Sequence, residues 1–361
     1  MTDMRVVLAG GGTAGHIEPA LALADALRRL DASIGVTCVG TERGLETRLV
    51  PARGYELELV PAVPLPRALT PQLLTVPGRL AGAVNAVAAV LDRTRADILV
   101  GFGGYVATPA YLAAKRRGLP IVVHEANPKP GLANRLGAKL TDHVFTGFPD
   151  ASIAKAEYIG TPLRRQIVEL DRLSMGDRAR SWFGLQTDRP TLLVFGGSQG
   201  ARSINDAALA AAPALRAAGV QVLHVVGAKN TVEHEPPPGD PQYVLLPYLD
   251  RMDLAYAAAD VALCRSGALT CAELTAVGLP AAYVPLPHGN GEQRMNAERV
   301  TAGAGGMLVD DAELSSDWII DHVLPLLHDP ERVAVMSEAA SALGMKDADV
   351  TLARKVLEIV R

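Results

Sequence analysis

Two doubly wound parallel-sheet domains of the α/β class are what the sequence predicts, on three observations. Short β-rich runs alternate with helical patterns, the alternation restarts at mid-chain, and the apolar content rests on Ala, Val and Leu, with only 4% aromatic residues. The 361 residues suffice for two cores, and 49% hydrophobic with 20% charged residues is ordinary for a folded α/β chain. Alanine-rich helices on buried parallel strands fit this composition better than a sandwich does.

The elements follow in order. "RVVLAG", "GVTCVG", "ADILVGFG" and "PIVVHEA" read as strands of a first domain. "TLLVFGG", "QVLHVVG", "VALCRSG" and "AAYVPLP" read as strands of a second. "TLLVFGGSQGARSINDAALAAA" at 191–212 repeats the strand, glycine turn and helix of "VVLAGGGTAGHIEPALALADAL" at 6–27, so two Rossmann-like halves are expected. "YIGTPLRRQIV" at 158–168 reads as a linker near 160–164, giving domains at 1–160 and 161–336. The stretch from Pro330 reads as one or two amphipathic helices interrupted near Gly344.

Composition also excludes. A net charge of −4 offers no general attraction to a phosphate backbone, so no nucleic acid is expected as partner. The three cysteines, Cys38, Cys264 and Cys271, lack Cys-x-x-Cys spacing, which argues against a disulfide framework or structural zinc and for a reducing cytoplasm. The apolar run at 6–9 is too short for a signal peptide, and "LAGAVNAVAAVL" at 80–91 falls short of a span and contains Asn85. No histidine spacing resembles a metal pair, and the only Asp-x-Asp, Asp347 to Asp349, lies far from any strand end, so no metal is expected.

Chemistry is expected where glycine turns follow strands. Such turns leave helix-start amides unpaired beside the positive end of the dipole, and glycine lets backbone approach an anion. "GGGTAGH" is not in the dinucleotide register, and "GVTCVGTERG" offers only Glu42, beyond a glycine, as an acid near the second strand. Turns at 10–15, 101–105 and 196–200 lie at strand C-terminal ends in both halves, which favours a ligand in an interdomain cleft over tight packing alone. His16 falls in a helix first turn, where the dipole disfavours the cation: a neutral base or a locally bonded residue. His124 and His288 follow strands and are either site or structural hydrogen-bonding residues. Between Cys264 and Val300 the motif density peaks: Ser266 to Thr270 form a turn, Glu273 serves ribose hydroxyls or the dipole, and Glu292, Gln293 and Asn296 suit sugar hydroxyls.

Seven blocks in order, "GGGTAGHIEPALALA", "GFGGYVATPAYLAA", "HEANPKPGLANR", "FPDA", "GGSQGARSIN", "YLDRM" and "RSGALTCAELTAVGLPAAYVPLPHGNGEQRMNA", resemble the MurG family of peptidoglycan glycosyltransferases over nearly the whole chain. The resemblance implies a glycosyltransferase B-type fold whose parallel sheets face the cleft, with a C-terminal helix, 337–361, packed back on the first domain. It implies inverting transfer of N-acetylglucosamine from UDP-GlcNAc to the MurNAc 4-hydroxyl of lipid I, giving lipid II. His16 and Glu125 would be catalytic, with Gly12, Gly104, Tyr105 and His124 on the acceptor. Thr13, Gly15, Asn127, Arg164 and Ser198 would meet the donor, the last two through phosphate. Tyr248, Leu249 and Met252 would hold uracil and Glu273 the ribose, with Ala268, Leu269, Thr270, Glu292, Gln293 and Asn296 around the sugar. No cofactor is implied; the partners are UDP-GlcNAc, lipid I at the cytoplasmic face of the membrane, and other cell-wall synthesis proteins. Two departures stand out: the family often has two glutamines where this chain has Glu292-Gln293, and "PRALTPQLLTVPGRLAG" keeps Leu73, Leu74, Val76 and Leu80 of an apolar membrane-facing segment with only Arg67 and Arg79 beside them. The rivals are a same-fold glycosyltransferase acting on a soluble natural product, a UDP-GlcNAc 2-epimerase, and a sugar-nucleotide-binding subunit with a dead site.

Overall fold

A computed structural model describes residues 4–360 apart from 43, 64–74, 198, 229 and 231–238. The chain divides into two compact units, Met1–Arg164 with Lys346–Arg361, and Arg165–Met345.

In the first unit, β1 (Arg5–Gly10), β2 (Gly35–Gly40), β3 (Glu56–Leu59), β4 (Ile98–Gly103), β5 (Ile121–Glu125), β6 (His143–Thr146) and β7 (Ala156–Tyr158) form one sheet in the order β3-β2-β1-β4-β5-β6-β7. Every pairing is parallel. The continuous apolar runs have a physical cause, since both faces of this sheet are covered. Val6 and Leu8 of β1 bury against the helix Ala14–Leu30, while Val7 and Ala9 point oppositely, into a core shared with Val87, Leu91, Ala110 and Tyr111. The order reverses between β1 and β4, the switch point at which doubly wound sheets place ligands.

The second unit repeats the plan. β8 (Thr191–Phe195), β9 (Gln221–Val225), β10 (Tyr243–Leu246), β11 (Val261–Cys264), β12 (Ala281–Tyr283) and β13 (Gly306–Leu308) pair in parallel as β10-β9-β8-β11-β12-β13, with the switch between β8 and β11.

The C-terminal stretch is two helices. Pro330–Ser341 stays with the second unit, where Met336 is in the core and the Ala340 backbone packs tightly on Gly305. The return to the first unit therefore comes at Lys346 rather than at 337. Ala348–Val360 then buries Leu352, Ala353 and Val356 against the helix Ala14–Leu30, at roughly 1.5–3 kcal/mol for each large side chain. Asp349 to Arg29 at 2.5 Å and Lys355 to Glu157 at 2.9 Å fix its register. No helix among the described residues is long and apolar enough to cross a membrane.

Candidate active site

In the first unit the site gathers at the C-terminal ends of β1, β4 and β5. Gly104, at φ +81°, comes so near the opposite turn that a Cβ there would stand 2.4 Å from the Gly11 carbonyl oxygen. Only glycine allows these two turns to touch. Thr13 opens the helix Ala14–Leu30 in an extended conformation and does not cap it with its side chain, which instead lies 3.4 Å from His16 Nδ1.

His16 Nδ1 is 3.3 Å from the Gly11 carbonyl oxygen. A carbonyl only accepts, so Nδ1 carries the proton and Nε2 keeps its lone pair. The Nε2 edge lies against Gly103, where a Cβ would stand 3.2 Å from that nitrogen. Desolvation holds the His16 pKa below the ordinary 6.5, opposed by the negative charges of Glu125 and Glu46. The ring is thereby neutral near pH 7.

Glu125 ends β5 and is held from four directions. Its Oε1 accepts the Asn127 amide at 2.9 Å and side-chain nitrogen at 3.2 Å, while Oε2 accepts the Gly131 amide at 3.0 Å and Asn134 Nδ2 at 2.9 Å. Asn134, which the sequence reading did not single out, completes the chain by accepting the buried Tyr111 hydroxyl at 2.7 Å. Its only signal was its place inside "HEANPKPGLANR". A cavity of 410 Å³ opens here, lined by His16, Glu125, Asn127, Asn134, Tyr105 and Thr108 together with Val63, Leu80, Leu132 and Leu136. Tyr105 and Leu132 stand at its surface, 54% and 68% exposed. Leu80, expected on a membrane-facing segment, is half-buried in this wall, and Leu73 and Leu74 lie outside the described residues.

His124 departs from its expected acceptor contact. It is 1% exposed, its Nε2 binds the Gly160 carbonyl at 2.9 Å and its ring packs on Phe102, so burial pushes its pKa down to about 4. It ties β5 to the linker. Arg164 sits 3.9 Å from Glu18, which also takes Arg53 at 3.0 Å.

In the second unit, Gly267 is the N-cap of the helix Ala268–Val277, and no side chain caps it. Ala268, Leu269 and Thr270 thus form a first turn after the end of β11 whose amides no side chain of Gly267 caps. Glu273 lies beyond that first turn, which excludes the dipole reading. It is buried and accepts the Tyr256 hydroxyl at 2.8 Å. Gln293 takes the Leu286 amide at 3.1 Å, and Glu292 is half-buried at the start of the helix Glu292–Ala302. Asn296 is fully buried with Nδ2 on the Ser266 carbonyl at 3.0 Å, so it braces the turn before Ala268. Tyr248 and Leu249 follow β10, Met252 begins the helix Met252–Ala258, and all three are partly exposed. His288 is exposed. Ser198 lies outside the described residues; Gly197 and Gly200 both have positive φ.

The models of the glycosyltransferase family 28 N-terminal and C-terminal domains match residues 6–146 and 191–352. The chain belongs to glycosyltransferase family 28. Within it, a relative from Thermobifida fusca named UDP-N-acetylglucosamine–N-acetylmuramyl-(pentapeptide) pyrophosphoryl-undecaprenol N-acetylglucosamine transferase is 66% identical over 359 residues, covering 99% of this chain and 95% of the relative. A Streptomyces avermitilis relative of the same name is 61% identical over 358 residues, covering 99% of each. The crystal structure of Acinetobacter baumannii MurG superposes with a TM-score of 0.77 at 24% identity, covering 98% of this chain and 99% of that one. This likeness concerns the fold, which is the expected glycosyltransferase B-type; the MurG kinship rests on the sequence relatives.

Proposed function

We propose that this chain transfers N-acetylglucosamine from UDP-GlcNAc to the MurNAc 4-hydroxyl of lipid I, with inversion, forming lipid II for peptidoglycan and so serving cell shape and division. The observation that carries the reading is identity of 66% over 99% of the chain to a transferase named for that donor and acceptor. The soluble-acceptor and epimerase alternatives have no comparable support.

His16 is the base in this reading. Its Nε2 takes the proton from the acceptor hydroxyl, the oxygen bonds to the anomeric carbon, and the carbon–oxygen bond to UDP breaks with its electron pair leaving on the diphosphate. The imidazolium formed is stabilised by the neighbouring charges of Glu125 and Glu46. Glu125, whose two oxygens already accept four donors, is better suited to that electrostatic task than to taking the proton itself. The uncapped first turn at Ala268–Thr270 and the turn at 196–200 would receive the donor, with Glu273 on ribose and Tyr248, Leu249 and Met252 around uracil. With a lipid-linked acceptor the enzyme would work peripherally at the cytoplasmic face of the membrane, alongside other cell-wall synthesis proteins.

The test is UDP release from UDP-GlcNAc with and without a lipid I analogue. Release that requires the analogue, with a disaccharide product, is expected. Release without it, or epimerised sugar, would overturn the reading.

A further inference from the structure

The glycine turn that opens the chain is held from beneath by an acid. Glu46 is 0% exposed and begins the short helix Glu46–Ala52. Its Oε2 accepts the Gly12 amide at 3.0 Å, and its Oε1 accepts the Thr41 amide at 2.8 Å and the Thr41 hydroxyl at 2.9 Å. The carboxylate therefore bridges the ends of β1 and β2. Three glycines leave it room: a Cβ would stand 2.9 Å from Oε1 at Gly11, 2.5 Å from Cγ at Gly40 and 1.8 Å from Oε2 at Gly44. In a dinucleotide-binding sheet an acid near the end of the second strand faces out to a ribose. This one is turned inward onto donors of its own chain.

Gly12 follows Gly11, and the Gly11 carbonyl is the group that holds His16 Nδ1. We propose that Glu46 is a positioning residue for the transfer: by clamping Gly12 to Thr41 it fixes the turn that presents the Gly11 carbonyl, and so fixes the tautomer and direction of His16. This rests on His16 as base. A turn held only by packing would not need a buried carboxylate, which costs several kcal/mol to desolvate. The charge has a second consequence. Among the described residues the charges facing His16 are those of Glu125 and Glu46, both favouring its protonated form, while β4 brings Gly103 and the helix Leu132–Gly137 brings the neutral Asn134 amide.

Kinetics across pH with UDP-GlcNAc and a soluble lipid I analogue test this, with circular dichroism and thermal melts to verify folding. In Glu46→Gln the side-chain amide confronts the Gly12 N–H. A kcat lower by about 10- to 100-fold is expected, with KM for UDP-GlcNAc unchanged. The acidic limb of the profile should move to lower pH, because a charge that favours the imidazolium is gone. Thr41→Val keeps the charge and removes one donor, so kcat should fall less and the limb should stay in place. Wild-type kcat and limb in Glu46→Gln would overturn the proposal. Should Glu46→Gln not fold, Thr41→Val decides: a lowered kcat at constant KM supports the clamp, and an unchanged kcat overturns it. An acidic limb that survives in His16→Ala defeats the base reading and with it this proposal, whereas a limb lost in His16→Ala beside a wild-type Glu46→Gln defeats the clamp alone.

Discussion

Asn134 Nδ2 lies 2.9 Å from Glu125 Oε2, while its Oδ1 accepts the Tyr111 hydroxyl at 2.7 Å. One buried amide thus joins the cavity carboxylate to a tyrosine in the core. Asn134→Ala removes a partner from each. The expected loss is about 1–3 kcal/mol in urea unfolding, with kcat reduced because Glu125 loses a donor that fixes it. Tyr111→Phe strands the Asn134 oxygen but leaves the Glu125 bond, so it should cost stability with less effect on kcat. Equal kcat losses in the two variants would show that the amide acts through the core alone.

Glu273 carries two loads, one structural and one expected toward ribose. Glu273→Ala should raise KM for UDP-GlcNAc far more than it lowers kcat, since a ribose contact is made equally in ground and transition states. It should also cost about 1–3 kcal/mol by removing the carboxylate oxygen that accepts the buried Tyr256 hydroxyl. Tyr256→Phe separates the two. It leaves the carboxylate in place, and a rise in KM matching that of Glu273→Ala would move the role from ribose contact to packing of the turn.

The parallel sheets, the mid-chain restart and the turns holding His16 and the residues from Ala268 were legible because buried strands read as continuous apolar runs and glycine marks sharp turns. β3, β6, β7, β10 and β13 were not. Each has only three or four residues, as in "ELEL" or "AEY", and their neighbours in the sheet decide their conformation. Glu46 was missed because the usual signal places an acid at the end of the second strand, and this one reaches back from six residues further on. The family resemblance puts His124 and Asn296 beside ligand, while the residues alone left a structural role open for His124; both are buried, which a motif does not encode.

Two deeply buried histidines predict acid lability. Burial pushes His124 and His224 down to about 4 from 6.5. Each unfolded histidine binds a proton below pH 6.5 that its folded form refuses until about pH 4. Their stabilisation is complete above pH 6.5 and is lost as pH falls between those values, by up to roughly 3 kcal/mol apiece. The two sit in different units, so the unfolding of each should be followed separately, with His124→Gln and His224→Gln as controls. In each variant the slope of stability against pH between 6.5 and 4 should flatten for the unit carrying the change. An unaltered slope in both variants would place the proton uptake elsewhere.

His16 and Glu125 compete for the role of base, and the geometry separates them. His16 presents an unprotonated Nε2 and a pKa lowered by burial, whereas Glu125 has both oxygens engaged by Asn127, Gly131 and Asn134. His16→Ala should lower kcat by about 10²- to 10⁴-fold, the usual cost of losing a general base. KM for UDP-GlcNAc should hardly change. The wild-type acidic limb should lie below pH 6.5, since the lowered pKa keeps the imidazole neutral further into acid, and it should vanish in the variant. Glu125→Gln should keep a limb but shift it to still lower pH, because the charge opposing desolvation is removed. A limb that survives in His16→Ala and disappears in Glu125→Gln would reverse the assignment, making Glu125 the base and leaving His16 to orient the acceptor.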